Sequence, residues 1–261
     1  MANGGSTQPG GLEWKWVIVG VVVGLVIVGV SFFIVIPTFN SIPIQALVML
    51  MGFVAMGAVV GYFSPGVTIK EPSIAGGIVA VLMLILLSLS GRELADDIGR
   101  NGLGLVFGIA FAWVGAWMGE KLQGSGGHSE EETKRMFTDV LWKWVIVGVI
   151  LGFMLNVLGV FLITPLFGLN LAIAFGVFLV SLVITGFIVG LKSPGITLKE
   201  PAIAGFFAVL LDWAFLELAI DLKVPDGDLA FGLVLGFLLS LFGAWLGERY
   251  QISLEARSSA A

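Results

Sequence analysis

Eight long apolar runs divide the chain, and polar residues fall almost entirely between them. The runs cover roughly residues 14–36, 44–63, 73–91, 103–119, 142–164, 170–191, 202–220 and 229–247. A helix crossing the hydrocarbon core of a bilayer takes about 20 apolar residues at a rise of about 1.5 Å each. Each run is therefore read as one transmembrane helix. A β-barrel would alternate apolar and polar residues over segments of about ten, whereas these runs are continuous. The pattern predicts an all-α, polytopic transmembrane bundle of eight spans. The first run is too long for the apolar core of a signal peptide. Pro37-Thr38-Phe39-Asn40 follows it in place of a small-x-small cleavage site, so it is expected to be an uncleaved first span.

The polar breaks repeat. Ser64-Pro-Gly-Val-Thr-Ile-Lys-Glu-Pro72 returns as Ser193-Pro-Gly-Ile-Thr-Leu-Lys-Glu-Pro201, with seven of nine positions identical. Trp14-Lys-Trp-Val-Ile-Val-Gly20 returns as Trp142-Lys-Trp-Val-Ile-Val-Gly148, and Gly115-Ala-Trp-Met-Gly-Glu120 as Gly243-Ala-Trp-Leu-Gly-Glu248. Pro37 and Phe39 align with Pro165 and Phe167. The offset moves only between 128 and 129 residues, so the chain reads as a gene duplication. Residues 13–123 form the first four-helix repeat and 141–251 the second, between tails at 1–12 and 252–261. Four spans per half is even, so both halves enter the membrane from the same side. They are expected to be parallel repeats about a pseudo-two-fold axis along the membrane normal.

Residues 124–140 read as a cytoplasmic linker. Gln123-Gly-Ser-Gly-Gly127 is flexible by composition. Ser129 stands three residues before Glu132 in the capping-box spacing, with Glu130 and Glu131 suited to a first helical turn. A short helix is expected there.

Composition agrees with the pattern: 58% of residues are hydrophobic and 12% charged, against about a quarter charged in soluble domains. Mean hydropathy is +1.06. Charge sets the orientation. Ten of the 13 Lys and Arg residues lie on the face that holds both termini, the linker and the two repeated loops. Arg92, Arg100 and Lys223 lie on the other. The positive-inside bias places both termini in the cytoplasm of a multi-pass plasma-membrane protein, with Trp14, Trp16, Trp142 and Trp144 as interfacial anchors.

Candidate chemistry is sparse. Glycines four apart recur in both halves: Gly20/Gly24, Gly57/Gly61, Gly104/Gly108 and Gly115/Gly119, then Gly148/Gly152, Gly186/Gly190, Gly232/Gly236 and Gly243/Gly247. Small residues at this spacing let helices approach closely in lipid. Pro65-Gly66 and Pro194-Gly195 suit a type II turn, and Pro72 and Pro201 the first turn of the following helix. Glu71 and Glu200 would face the positive end of that helix. The repeated loop has two readings: a well-made turn, or a paired surface for lipid headgroups or a partner, with Lys70, Glu71, Lys199 and Glu200 as its contacts.

Asp212 is the carboxylate deep within a span, where it is costly unless paired, protonated or wet. Its position in the first half holds Met83; Glu217, further along, corresponds to Ser88. Asp212 with Glu217 is a candidate proton or ion site. The alternative is a packing residue bonded to Asn156 or Ser240.

With no cysteine, disulfides and thiolate metal sites are excluded, and the single histidine, His128, falls in the linker. No phosphate-binding glycine loop, metal set or catalytic constellation is present, and no cofactor or nucleic-acid partner is expected. The sequence points to a non-enzymatic membrane protein, a scaffold or accessory subunit whose partners are membrane lipids and another membrane protein or a second copy. A small-solute or ion transporter using Asp212 is the alternative, and a lipid-handling protein a further one.

Overall fold

The computed structural model describes residues 12–39, 42–64, 70–89, 98–123, 140–168, 170–193 and 198–258. Among them the chain is all-helical, with eight α-helices: α1 Trp14–Thr38, α2 Ile42–Phe63, α3 Lys70–Leu89, α4 Ile98–Gln123, α5 Trp142–Phe167, α6 Leu171–Lys192, α7 Lys199–Ala219 and α8 Asp226–Ser258. Seven of these, α1, α2 and α4 to α8, are long and apolar enough over their described residues to cross a membrane. The expectation of eight spans is thus met by seven helices on these grounds. The expected linker helix, the turns at 65–69 and 194–197, and the acidic connection at 90–97 lie outside the described residues.

Local signals set the helix ends. Asn170 caps α6, its side-chain oxygen accepting the Ala172 N–H at 2.9 Å. Glu71 and Glu200 fall in the first turns of α3 and α7, and Asp226 and Asp228 in that of α8, where the helix dipole favours negative charge. Pro37 and Pro165 do not end their helices. Each lies inside the last turn, and Thr38 and Thr164 donate to the carbonyls four residues back, both at 2.7 Å. α8 runs 33 residues, about 50 Å, which carries it well beyond a single bilayer crossing.

The helices group into two compact units. Unit 1 holds residues 1–29 and 53–120, and unit 2 holds 30–52 and 121–261. Within unit 2, Phe39 meets Phe161 edge-on with ring centroids 5.2 Å apart.

Within unit 1, α2 and α4 meet backbone to backbone. A methyl group built at Gly57 would lie 2.1 Å from the Ala112 carbonyl oxygen, and one at Gly61 2.3 Å from that of Ala116. The fit is reciprocal: methyls at Gly115 and Gly119 would lie 2.0 and 2.2 Å from the carbonyl oxygens of Val54 and Ala58. α1 joins through Gly20 against Ala75 and Gly24 against Met56 and Val79.

Within unit 2, α5 packs on α6 and α7, and α6 and α7 each pack on α8. The α6–α8 seam repeats the device. Methyls at Gly186 and Gly243 would meet the Ser240 and Val183 carbonyl oxygens at 2.0 and 2.1 Å. Gly190 abuts Ala244, and Gly247 the Phe187 carbonyl. α5 joins through Gly148 against Ala204 and Gly152 against Ala208 and Thr185. Gly205 and Gly236 add a close α7–α8 contact. Gly108 meets the Phe53 ring at 3.2 Å, whereas Gly104 meets nothing within 4 Å and Gly232 makes an ordinary contact with Val209 at 3.4 Å.

Alanine at Gly57 or Gly186 should therefore destabilise the protein by about 1–3 kcal/mol, since backbone must shift to admit the methyl. Gly104→Ala should be neutral or slightly stabilising, because alanine is the better helix former. Thermal unfolding of the three variants in one detergent checks the ranking.

Candidate functional site

Two polar constellations stand out against this apolar framework. The first occurs once in each unit. Glu71, in the first turn of α3, is 3% exposed, and its Oε1 accepts the Glu13 backbone N–H at 3.1 Å. Glu200, in the first turn of α7, is fully buried, and its Oε1 accepts the Leu141 N–H at 3.0 Å. Glu13 and Leu141 immediately precede α1 and α5. Leu141 has no side-chain cap of its own, so the glutamate of a distant helix answers one of the N–H groups that every helix start leaves open. Each glutamate is a clasp that holds the start of one helix to the start of another. Oε2 of each is buried and has no hydrogen-bond partner among the described residues.

This geometry changes the reading of the repeated loop. Glu71 and Glu200 are turned into their units and are not available to a headgroup or partner. Lys70 and Lys199, one residue earlier, are exposed. The sequence carried a hint: a glutamate between lysine and proline sits one helical step from the lysine, so the two side chains leave the helix in different directions. The tryptophan pairs divide in the same way. Trp14 and Trp142 are exposed, Trp16 is half-buried, and Trp144 is buried. Residues two apart on a helix project to nearly opposite sides, so only one of each pair faces outward as an anchor.

The second constellation belongs to unit 2. Asn156 on α5 donates from Nδ2 to Asp212 Oδ2 on α7 at 2.9 Å. Of the two partners expected for Asp212, Asn156 is the one it meets. Ser240 instead donates to the Leu182 carbonyl at 3.2 Å. Asp212 stands 13 residues from the start of α7 and seven from its end, about 20 and 10 Å respectively. It lies on the C-terminal side of the helix middle. Glu217 is half-buried and is not brought into the Asn156–Asp212 contact. Asn156 Oδ1 is buried and lacks a hydrogen-bond partner among the described residues. Three other buried hydroxyls of unit 2 are bonded within their helices: Thr164 to Val160, Ser181 to Phe178 and Thr185 to Ser181.

No group of three metal-ligating side chains comes together among the described residues. A cavity of about 470 Å³ opens between α5 and α7, lined by Trp142, Ile146, Ile150, Phe207, Leu211 and neighbouring apolar side chains. It offers surface to acyl chains but no chemistry.

Removing a clasp leaves a backbone N–H without its acceptor. Glu71→Ala and Glu200→Ala should each lower stability by about 1.5–3 kcal/mol, the range for a hydrogen bond to a charged group. Glutamine at either site keeps the accepting oxygen and should recover most of the loss. Denaturation in detergent compares the four variants. Comparison of the chain with protein-family models, curated proteins and solved structures finds no match.

Proposed function

We propose that this protein is a non-enzymatic integral membrane protein, acting as a scaffold or accessory subunit of a membrane assembly. The observation that carries this reading is the close backbone packing of both units. Each has reciprocal glycine seams, and in unit 2 the buried hydroxyls of Thr164, Ser181 and Thr185 are bonded to carbonyls of their own helices. Such a unit is built to hold shape. Its outward side chains are large and apolar, including Val22, Val26, Phe33, Trp113, Phe237 and Phe242, and suit lipid or the helices of a partner. Exposed Lys70 and Lys199 are the cations that would meet headgroups or an anionic partner surface.

The matching seams and matching clasps favour descent from a duplicated four-helix unit. On this reading α3 crosses the membrane as α7 does, both repeats enter from the same side, and both termini are cytoplasmic in the plasma membrane. A second reading, a small-solute or ion transporter using Asp212, draws on the Asn156–Asp212 pair between two apolar helices. Enzymatic activity is not part of either reading.

Mild-detergent purification from native membranes tests the accessory role. A stoichiometric membrane partner, lost or weakened on charge reversal of Lys70 and Lys199 with the fold intact, is the expected result. Isolation of the chain alone, with pH-dependent flux in proteoliposomes that Asp212→Asn abolishes, would replace the accessory reading by the transporter. Tags at both termini and in the 124–130 linker should all report the cytoplasm; a tag reporting the opposite side would overturn the eight-span topology.

A further inference from the structure

We propose that Asp212 and Asn156 form a proton-holding acid–amide pair particular to unit 2. The inference rests on neither functional reading above. An ionised carboxylate can only accept hydrogen bonds, whereas an amide both donates and accepts. Asn156 already donates to Asp212 Oδ2 at 2.9 Å. Its own oxygen is buried with no donor among the described residues. The missing group is therefore a donor beside Asn156, and a proton on the Asp212 carboxyl supplies one. The neutral acid and the amide then each give one hydrogen bond and take one. With Asp212 ionised, Asn156 Oδ1 stays orphaned, and a full charge within a spanning helix rests on a single neutral N–H. The proton comes from water and returns to it, so the site binds a proton and no other reactant.

Among the described residues, the charged groups on the packed helices leave Asp212 without a cation at its level. On α5 the charged residue is Lys143, 13 residues before Asn156, about 20 Å along the axis. On α6 it is Lys192, at the end of the helix, and Lys199 and Glu200 open α7. On the nearer side stand acidic groups: Glu217 on α7, and Asp226 and Asp228 in the first turn of α8, with Glu248, Arg249, Glu255 and Arg257 beyond the far end of the apolar stretch. Lys223, in the connection after α7, is exposed.

Packing does not require the pair. At the matching sequence positions the first half has Val28 and Met83, and both are buried in unit 1, at 0% and 3% exposure. Two apolar side chains on α1 and α3 are thus buried where the sequence of the second half has the polar pair. The polar pair in unit 2 is therefore an addition to a framework that closes without it.

Infrared spectroscopy of the protein in lipid vesicles at neutral pH tests the proposal through the carbonyl stretch of a protonated carboxyl. Wild type minus Asp212→Asn should show one such band, and Asn156→Leu should keep the band but displace it, because its hydrogen-bond partner is gone. The double variant Asn156→Val/Asp212→Met imports the unit 1 pair and should fold and lack the band. A wild-type spectrum matching Asp212→Asn in this region, with only ionised carboxylate from Asp212, would overturn the proposal. Should either Asp212 variant fail to fold, Asn156→Leu decides: a displaced band upholds the acid–amide pair, and an unmoved or absent one refutes it.

Discussion

Lipid gives two apolar helices no hydrophobic reason to meet, since the acyl chains are as apolar as their side chains. The structure answers this constraint by bringing backbones into direct contact. In unit 1 the α2–α4 seam, and in unit 2 the α6–α8 seam, place glycine against the opposing carbonyl from both directions. Contact at this range gathers dispersion energy that bulkier interfaces forgo. It also explains why the hydrophobic residues point outward: Ile18, Val22 and Val26 line one exposed face of α1, while Gly20 and Gly24 face Ala75, Met56 and Val79. Glycines mark the closest helix contacts, buried Val, Met and Leu side chains fill the space around them, and large apolar residues also cover the outside.

The seams join α2 to α4 and α6 to α8, but they leave the starts of α1 and α5 to be located by other means. The glutamate clasps do this. Glu71 and Glu200 each carry a carboxylate from the first turn of one helix to a backbone N–H at the start of another. This gives the nine-residue motif a structural task. Its proline suits the first helical turn, its glutamate forms the clasp, and its lysine stays in water. What remains outside that task is the exposed lysine of each loop and the Asn156–Asp212 pair.

Much of this was legible in the sequence, and the parts that were not share a cause. Apolar runs located the helices to within a few residues, with the largest errors where polar residues continue the helix: α4 begins at Ile98 and α8 continues to Ser258. Glycine spacing pointed to the seams, but spacing does not say which face a helix presents, so Gly104 looks the same as Gly57 on paper and yet faces open space. Asp212 was visible as a costly residue, and Asn156 as one possible partner. The clasps were not visible, because their acceptors meet backbone N–H groups some 58 residues away, and every residue carries such a group.

Backbone contact across the seams is the claim on which the rest depends. Solid-state NMR in lipid bilayers measures it directly, through carbon–carbon correlations between glycine Cα and the carbonyl carbon of the facing helix. A methyl at Gly57 would lie 2.9 Å from the Ala112 carbonyl carbon, and one at Gly186 2.7 Å from that of Ser240. Each glycine Cα is thus within about 4.5 Å of its partner, one C–C bond further. The account predicts inter-helix correlations for both pairs, of strength comparable to those within a helix. Their absence, with the helices at the 8–10 Å axis separation of side-chain-mediated packing, would contradict it.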